Sequence, residues 1–135
     1  MQIDELGGTL GEALLVPTRI YVRPLLELIR QCDVKAVSHI TGGGFYENIP
    51  RMMKSGYSAK IELDSFPKLP IFSLLQSHGN ISQHDMYNTF NMGIGMCLAV
   101  SKTEADKAVS VLKEAGENAY IIGEVVEGEE GVILC

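Results

Sequence analysis

The sequence predicts an α/β (α+β) fold, a mixed β-sheet with helices packed on it, from three observations. Short runs of β-forming residues alternate along the chain with segments of helical periodicity. The longest apolar run, residues 92–100, has the composition of a central strand covered on both faces. The last two apolar runs, 120–126 and 132–134, are separated only by a short acidic turn, which predicts a hairpin and therefore some antiparallel pairing.

The elements follow in order. Residues 1–16 mix glycines with Leu6, Leu10, Leu14 and Leu15 and read as a lead-in segment, leaving 17–135 as a single domain. Ile20, Tyr21 and Val22 are β-forming, and Pro24 stands where a helix accepts proline, in its first turn. Leu25, Leu28, Ile29 and Cys32 then recur at i, i+3, i+4 and i+7, which predicts a helix over 24–32. Residues 34–40 read as a strand ending at three glycines. After them Ile49, Met52 and Met53 suggest a helix closing at Gly56, with Pro50 either kinking a helix that begins at Gly44 or lying in the first turn of one capped by Asn48. Residues 58–64 alternate apolar and charged, a strand wet on one side. Strand, helix, strand here predicts a right-handed βαβ unit.

Pro67 and Pro70 mark a loop, 71–76 looks helical and is closed by Gly79, and Ser82 with Asp85 resembles a capping box for a short helix over 83–90. Residues 93–100 are the apolar strand. Thr103 is placed to cap an amphipathic helix whose Ala105, Ala108, Val109, Leu112 and Ala115 share a face, with Gly116 ending it.

Composition narrows the function. The 135 residues carry 11 Lys+Arg against 17 Asp+Glu, a formal net charge of −6, which argues against a nucleic-acid partner. No apolar run approaches the ~20 residues of a membrane span, and the acidic N-terminal stretch lacks the basic region of a signal peptide. The three cysteines form no CxxC or Cys/His cluster, so no disulfide framework or zinc site is indicated and reduced thiols in a cytoplasmic protein are expected.

The strongest local signal is Thr41-Gly42-Gly43-Gly44 directly after an apolar strand. Consecutive glycines let successive backbone N–H groups converge on an anion, with the Thr41 hydroxyl beside them and Arg51 able to add a cation. In open α/β sheets such a loop lies where ligands bind. The competing reading is a tight turn that needs positive φ. His39, at the strand end, reads first as a structural hydrogen-bonding residue. Asn91, just before the apolar strand, either caps a neighbouring backbone group or faces a ligand. Gly93-Ile94-Gly95 lacks the third glycine of a dinucleotide fingerprint, and no Walker motif occurs. His78 and His84 sit in polar stretches, and 124–130 reads as a solvated turn.

Taken together, Pro17-Thr18-Arg19-Ile20-Tyr21-Val22, the run from His39 through Thr41-Gly42-Gly43-Gly44-Phe45-Tyr46-Glu47-Asn48 to Pro50-Arg51, Thr89-Phe90-Asn91-Met92-Gly93-Ile94-Gly95-Met96 and Gly116-Glu117-Asn118-Ala119-Tyr120 occur in an order that resembles the C-terminal domain of the phosphoribosylformylglycinamidine cyclo-ligase (aminoimidazole ribonucleotide synthetase) family over nearly the whole chain. The resemblance implies a role in purine synthesis. ATP and Mg²⁺ activate an amide oxygen of formylglycinamidine ribonucleotide, and an amidine nitrogen closes the imidazole ring with release of ADP and phosphate. It implies a homodimer whose N-terminal domain, absent here, carries the ATP and metal machinery, so this portion alone is expected to hold no cofactor or metal and to be inactive. By resemblance, Thr41, Gly42, Gly43, Gly44 and Asn48 hold the ribonucleotide phosphate, and Arg19, His39 and Asn91 line the cleft. Asn88 departs from the arginine that members often carry there, which puts any contact from that position in doubt. The alternatives are a non-catalytic phospholigand-binding module, or a domain of a related enzyme such as the preceding-step amidotransferase or a selenophosphate or thiamine-phosphate kinase.

Overall fold

The computed structural model describes residues 2–135. Strands β1 (Gln2–Ile3) and β2 (Gly8–Thr9) form a small antiparallel hairpin. Helix α1 (Leu10–Leu14) follows, opened by a capping box in which Thr9 and Glu12 satisfy each other's backbone N–H groups. The lead-in therefore has local structure of its own, yet Leu14, Leu15 and Val16 remain exposed.

Helix α2 (Val22–Gln31) begins at the predicted proline turn. Ile20 and Tyr21 join no strand among the described residues. Leu28 and Cys32 bury α2 against α6 (Ala105–Glu114), where they meet Ala108 and Val111. Helix α6 is entered through a 3-10 turn over Lys102–Glu104, so Thr103 lies inside that turn and Glu104 occupies the cap. Both helices cover one face of an antiparallel pair, β3 (Val34–His39) with β5 (Met96–Val100), which contains a register shift between Val34 and Ala36.

A second sheet has the order β6 (Gly123–Glu127), β4 (Tyr57–Ile61), β7 (Val132–Leu134), with β4 antiparallel to β6 and parallel to β7. Three topological expectations fail. The βαβ unit does not form, because β3 and β4 belong to different sheets. The segment between them is tied back to the end of β3, where the Ser38 hydroxyl donates to the Asn48 carbonyl at 2.8 Å, so it does not cross a sheet face. The hairpin of β6 and β7 does not form either, because β4 stands between them. The acidic turn is carried across the start of β4 by Gly128 N–H to the Gly56 carbonyl (3.0 Å) and by the Ser58 hydroxyl to Glu130 (3.3 Å). Nor is β5 central, since among the described residues it pairs only with β3.

Helix α3 (Gly44–Asn48) starts directly at the glycines and ends at Asn48, and Pro50 opens a separate 3-10 turn, Pro50–Met52. Asn48 is thus the last residue of a helix, not the cap of one. Helices α4 (Pro70–Gly79) and α5 (Gln83–Thr89) close the layer, α5 capped by Ser82 accepting from the Asp85 N–H at 3.1 Å. The main core gathers Ile40, Phe45 and Ile49 around α3, Ala59 and Ile61 from β4, and Phe66 and Tyr87. No helix among the described residues is long and apolar enough to cross a membrane.

Candidate functional site

The glycine loop is organised by one buried side chain. Asn48, 2% exposed, donates its amide N–H groups to the carbonyls of Thr41 (3.3 Å), Gly42 (3.3 Å) and Gly44 (2.8 Å). Its oxygen accepts from the Thr41 hydroxyl and from Arg51, each at 3.4 Å. In a trans peptide the C=O and the following N–H point in opposite directions, and no peptide bond here is cis. Carbonyls of Thr41 and Gly42 drawn inward therefore turn the N–H groups of Gly42 and Gly43 outward. Neither N–H donates to a protein group among the described residues. The Gly44 N–H, by contrast, closes the turn onto the Thr41 carbonyl at 3.0 Å.

Two of the three glycines have a conformational reason to be there. Gly43 has φ +98° and Gly44 φ +57°, both in the left-handed region. At Gly44 a β-carbon would also stand 2.0 Å from the Tyr87 carbonyl oxygen, so α5 abuts the loop at a distance no side chain permits. Gly42 has neither constraint: its β-carbon would meet nothing within 4 Å. The turn reading therefore accounts for two glycines and leaves an open third.

The end of α5 brings Asn91 to this corner, because Gly44 touches the carbonyls of both Tyr87 and Phe90. The Asn91 side-chain oxygen accepts from the Gly93 N–H at 2.9 Å, across a turn in which Met92 and Gly93 take positive φ. That is the backbone-capping alternative of the two open for Asn91. His39 is exposed at the end of β3, opposite Met96 in the register, and its ring meets Tyr21 edge-on with centroids 5.9 Å apart. Arg19 lies apart from the loop, paired with Glu117 at 2.8 Å and donating to the Gly116 carbonyl at 3.2 Å.

Arg19 and Tyr21 instead line a cavity of about 980 Å³. It opens between β5, the 117–125 segment and the helices α2 and α6, and is walled by Leu25, Leu98, Leu112 and Ile122. Burial raises the Tyr21 phenol, helped by the Glu117 carboxylate and opposed by Arg19. Nearby on β5, burial pushes the Cys97 thiol up to about 12, which keeps it an unreactive neutral thiol. Among the described residues no three His, Cys, Asp or Glu side chains converge as metal ligands.

Residues 1–135 match the family described as AIR synthase related protein, C-terminal domain. The chain belongs to this family. Within the AIR synthase related C-terminal domain family it is similar to the phosphoribosylformylglycinamidine cyclo-ligases of Lachnoclostridium phytofermentans (58% identical, covering 98% of this chain and 39% of that protein) and Alkaliphilus metalliredigens (52%, 98% and 38%). The chain thus spans about two-fifths of the length of these curated relatives. Among solved structures it is similar to Escherichia coli HypE, with TM-score 0.65 and 25% identity over 97% of this chain and 42% of that one.

For this AIR synthase related domain, the sequence reading missed Glu47, Tyr21 and Glu117. Glu47 precedes Arg51 by four residues, a spacing that makes the pair found at 3.8 Å. Glu117 carries no such local signal, because its partner Arg19 is far away in sequence.

Proposed function

We propose that this chain is the C-terminal, substrate-positioning part of a phosphoribosylformylglycinamidine cyclo-ligase, acting in the cytoplasm on formylglycinamidine ribonucleotide, and that the 41–44 loop receives the ribonucleotide 5′-phosphate. The observation that carries the reading is Asn48 gathering three loop carbonyls, which leaves the Gly42 and Gly43 N–H groups facing outward without a protein partner among the described residues. Arg51, bonded to the same asparagine, supplies a nearby cation. Thr41 borders the anion directly. Asn48 acts from beneath as the positioning residue, and His39 and Asn91 flank the corner. A domain of this kind contributes by holding the substrate in place, which lowers a barrier without any titrating group. ATP and Mg²⁺ belong to the remainder of the longer protein, as does the homodimer contact, and the exposed Leu14, Leu15 and Val16 of the lead-in are the surface that meets that remainder.

The cyclo-ligase reading is preferred to other members of the superfamily because relatives at 58% and 52% identity carry that name, while the HypE likeness stands at 25%. The non-catalytic module is a reading of the same loop and shares its test. Calorimetric titration of formylglycinamidine ribonucleotide into wild-type and Gly43→Val protein is expected to show about hundredfold weaker binding by the variant, the loss of two charge-assisted hydrogen bonds. Its stability should fall as well, because valine is strained at φ +98° and its β-carbon would stand 2.8 Å from Glu47 Cβ, so affinity is compared at a temperature where both proteins are folded. Equal affinity, or no saturable binding by wild type, overturns the assignment.

A further inference from the structure

The side chain of Glu47 folds back over the glycine turn. A β-carbon at Gly43 would stand 2.6 Å from Glu47 Oε2 and 2.8 Å from its Cβ and Cδ, so the space left by the missing side chain is filled by this glutamate. Nothing local compels that pose, since the Glu47 side chain is 54% exposed and free to extend into water. Arg51 accounts for it. One guanidinium nitrogen lies 3.8 Å from Glu47 Oε2, and another donates to Asn48 Oδ1 at 3.4 Å, so a single cation bridges the carboxylate and the residue that organises the loop.

We propose that Glu47 is a built-in anionic competitor for the glycine loop, holding Arg51 until a phosphate monoester displaces it. This rests on reading the 41–44 loop as the phosphate site and adds how that site is regulated. Entry of the ligand is an exchange: Arg51 leaves the carboxylate for the phosphate, and Glu47 swings out to water. The exchange makes the loop a poor site for small free anions, which bring nothing but charge and meet the carboxylate's repulsion. It admits a phosphate carried on a larger organic body, whose other contacts offset the cost of moving Glu47. The ligand class selected is therefore a phosphate monoester with a substantial organic moiety, against a background of inorganic phosphate.

The test follows the Gly42 and Gly43 amide resonances of the 135-residue chain during titration with inorganic phosphate, for wild type, Glu47→Gln and Glu47→Ala. Removing one charge a few ångströms from the anion is expected to tighten phosphate binding about tenfold at low salt in both variants. The gain should shrink at high ionic strength, because the repulsion is screened at this exposed position. If phosphate moves both amides in wild type, and the variants bind it equally or more weakly, the competitor role is overturned while the phosphate site stands. If phosphate moves neither amide in any of the three proteins, the site itself is wrong and the inference falls with it.

Discussion

At Gly44, where the 41–44 corner meets α5, there is no room for a methyl group: a β-carbon there would be 2.0 Å from the Tyr87 oxygen. On the other side of Tyr21, beside β5, a cavity of about 980 Å³ stands between apolar walls. The corner is fixed by hydrogen bonds to one asparagine, whereas the cavity is bordered by β5 and β6, which among the described residues pair only with β3 and with β4 respectively. The difference separates two ways of making a surface that binds. A site for a small anion needs donors held in place, and tight packing around Asn48 provides that. A cavity that size has no comparable constraint and tolerates change.

Four measurements bear on that contrast. The largest effect is expected from Gly44→Ala, which combines a left-handed φ with a clash against backbone. It should lower the unfolding free energy in urea by about 3 kcal/mol or more. A loss under 1 kcal/mol would mean that α5 yields easily, and the corner would not be rigid. Asn48→Ala removes the side-chain donor shared by three carbonyls, of which Thr41 keeps the Gly44 N–H, and should cost about 2–4 kcal/mol, with the Gly42 and Gly43 amide resonances shifting together.

The third is a pH effect. Burial places the folded-state pKa of Cys97, about 12, above its ordinary value. The stability it contributes is therefore present in full below pH ~8.5 and is lost as pH rises toward 12, because the unfolded chain releases the proton first. Chemical unfolding of wild type between these limits should show a falling stability that Cys97→Ala flattens. The smallest effect is expected at the cavity: Ala99→Leu adds three carbons to its lining and should change stability by less than about 1 kcal/mol. A larger loss would show the cavity to be as constrained as the corner.

Much of this was legible in the sequence, and the limits have physical causes. Helices α2, α4, α5 and α6 announce themselves through periodicity, Pro24 near the start of α2 and the Ser82–Asp85 pair, all of which are local signals, whereas Pro70, read as a loop marker, opens α4. Thr41-Gly42-Gly43-Gly44 was legible as a loop because positive φ is a local demand. The topology was not. The β6 and β7 segments read as a hairpin by proximity, and only the crossing held by Gly128, Gly56, Ser58 and Glu130 sends them to opposite edges of β4. Asn48 was legible as a polar residue near the loop but not as its organiser, because the bonds to Thr41 and Gly42 exist only once α3 has formed. Arg19 read as part of the same cleft as the loop, whereas its partner Glu117 lies across the fold and holds it at the rim of the cavity.

The threading of β4 between β6 and β7 has a consequence for how the domain is made. On a ribosome, residues 57–61 emerge long before either of the strands that flank them. Until then both edges of β4 are bare, with Ala59 and Ile61 lacking the cover they have in the finished core. The pair β3 and β5, with α2 and α6, has all its parts earlier. Synthesis therefore passes through an interval in which half of the domain can assemble and the other half cannot, and a chain stalled in that interval offers a naked apolar strand to its neighbours.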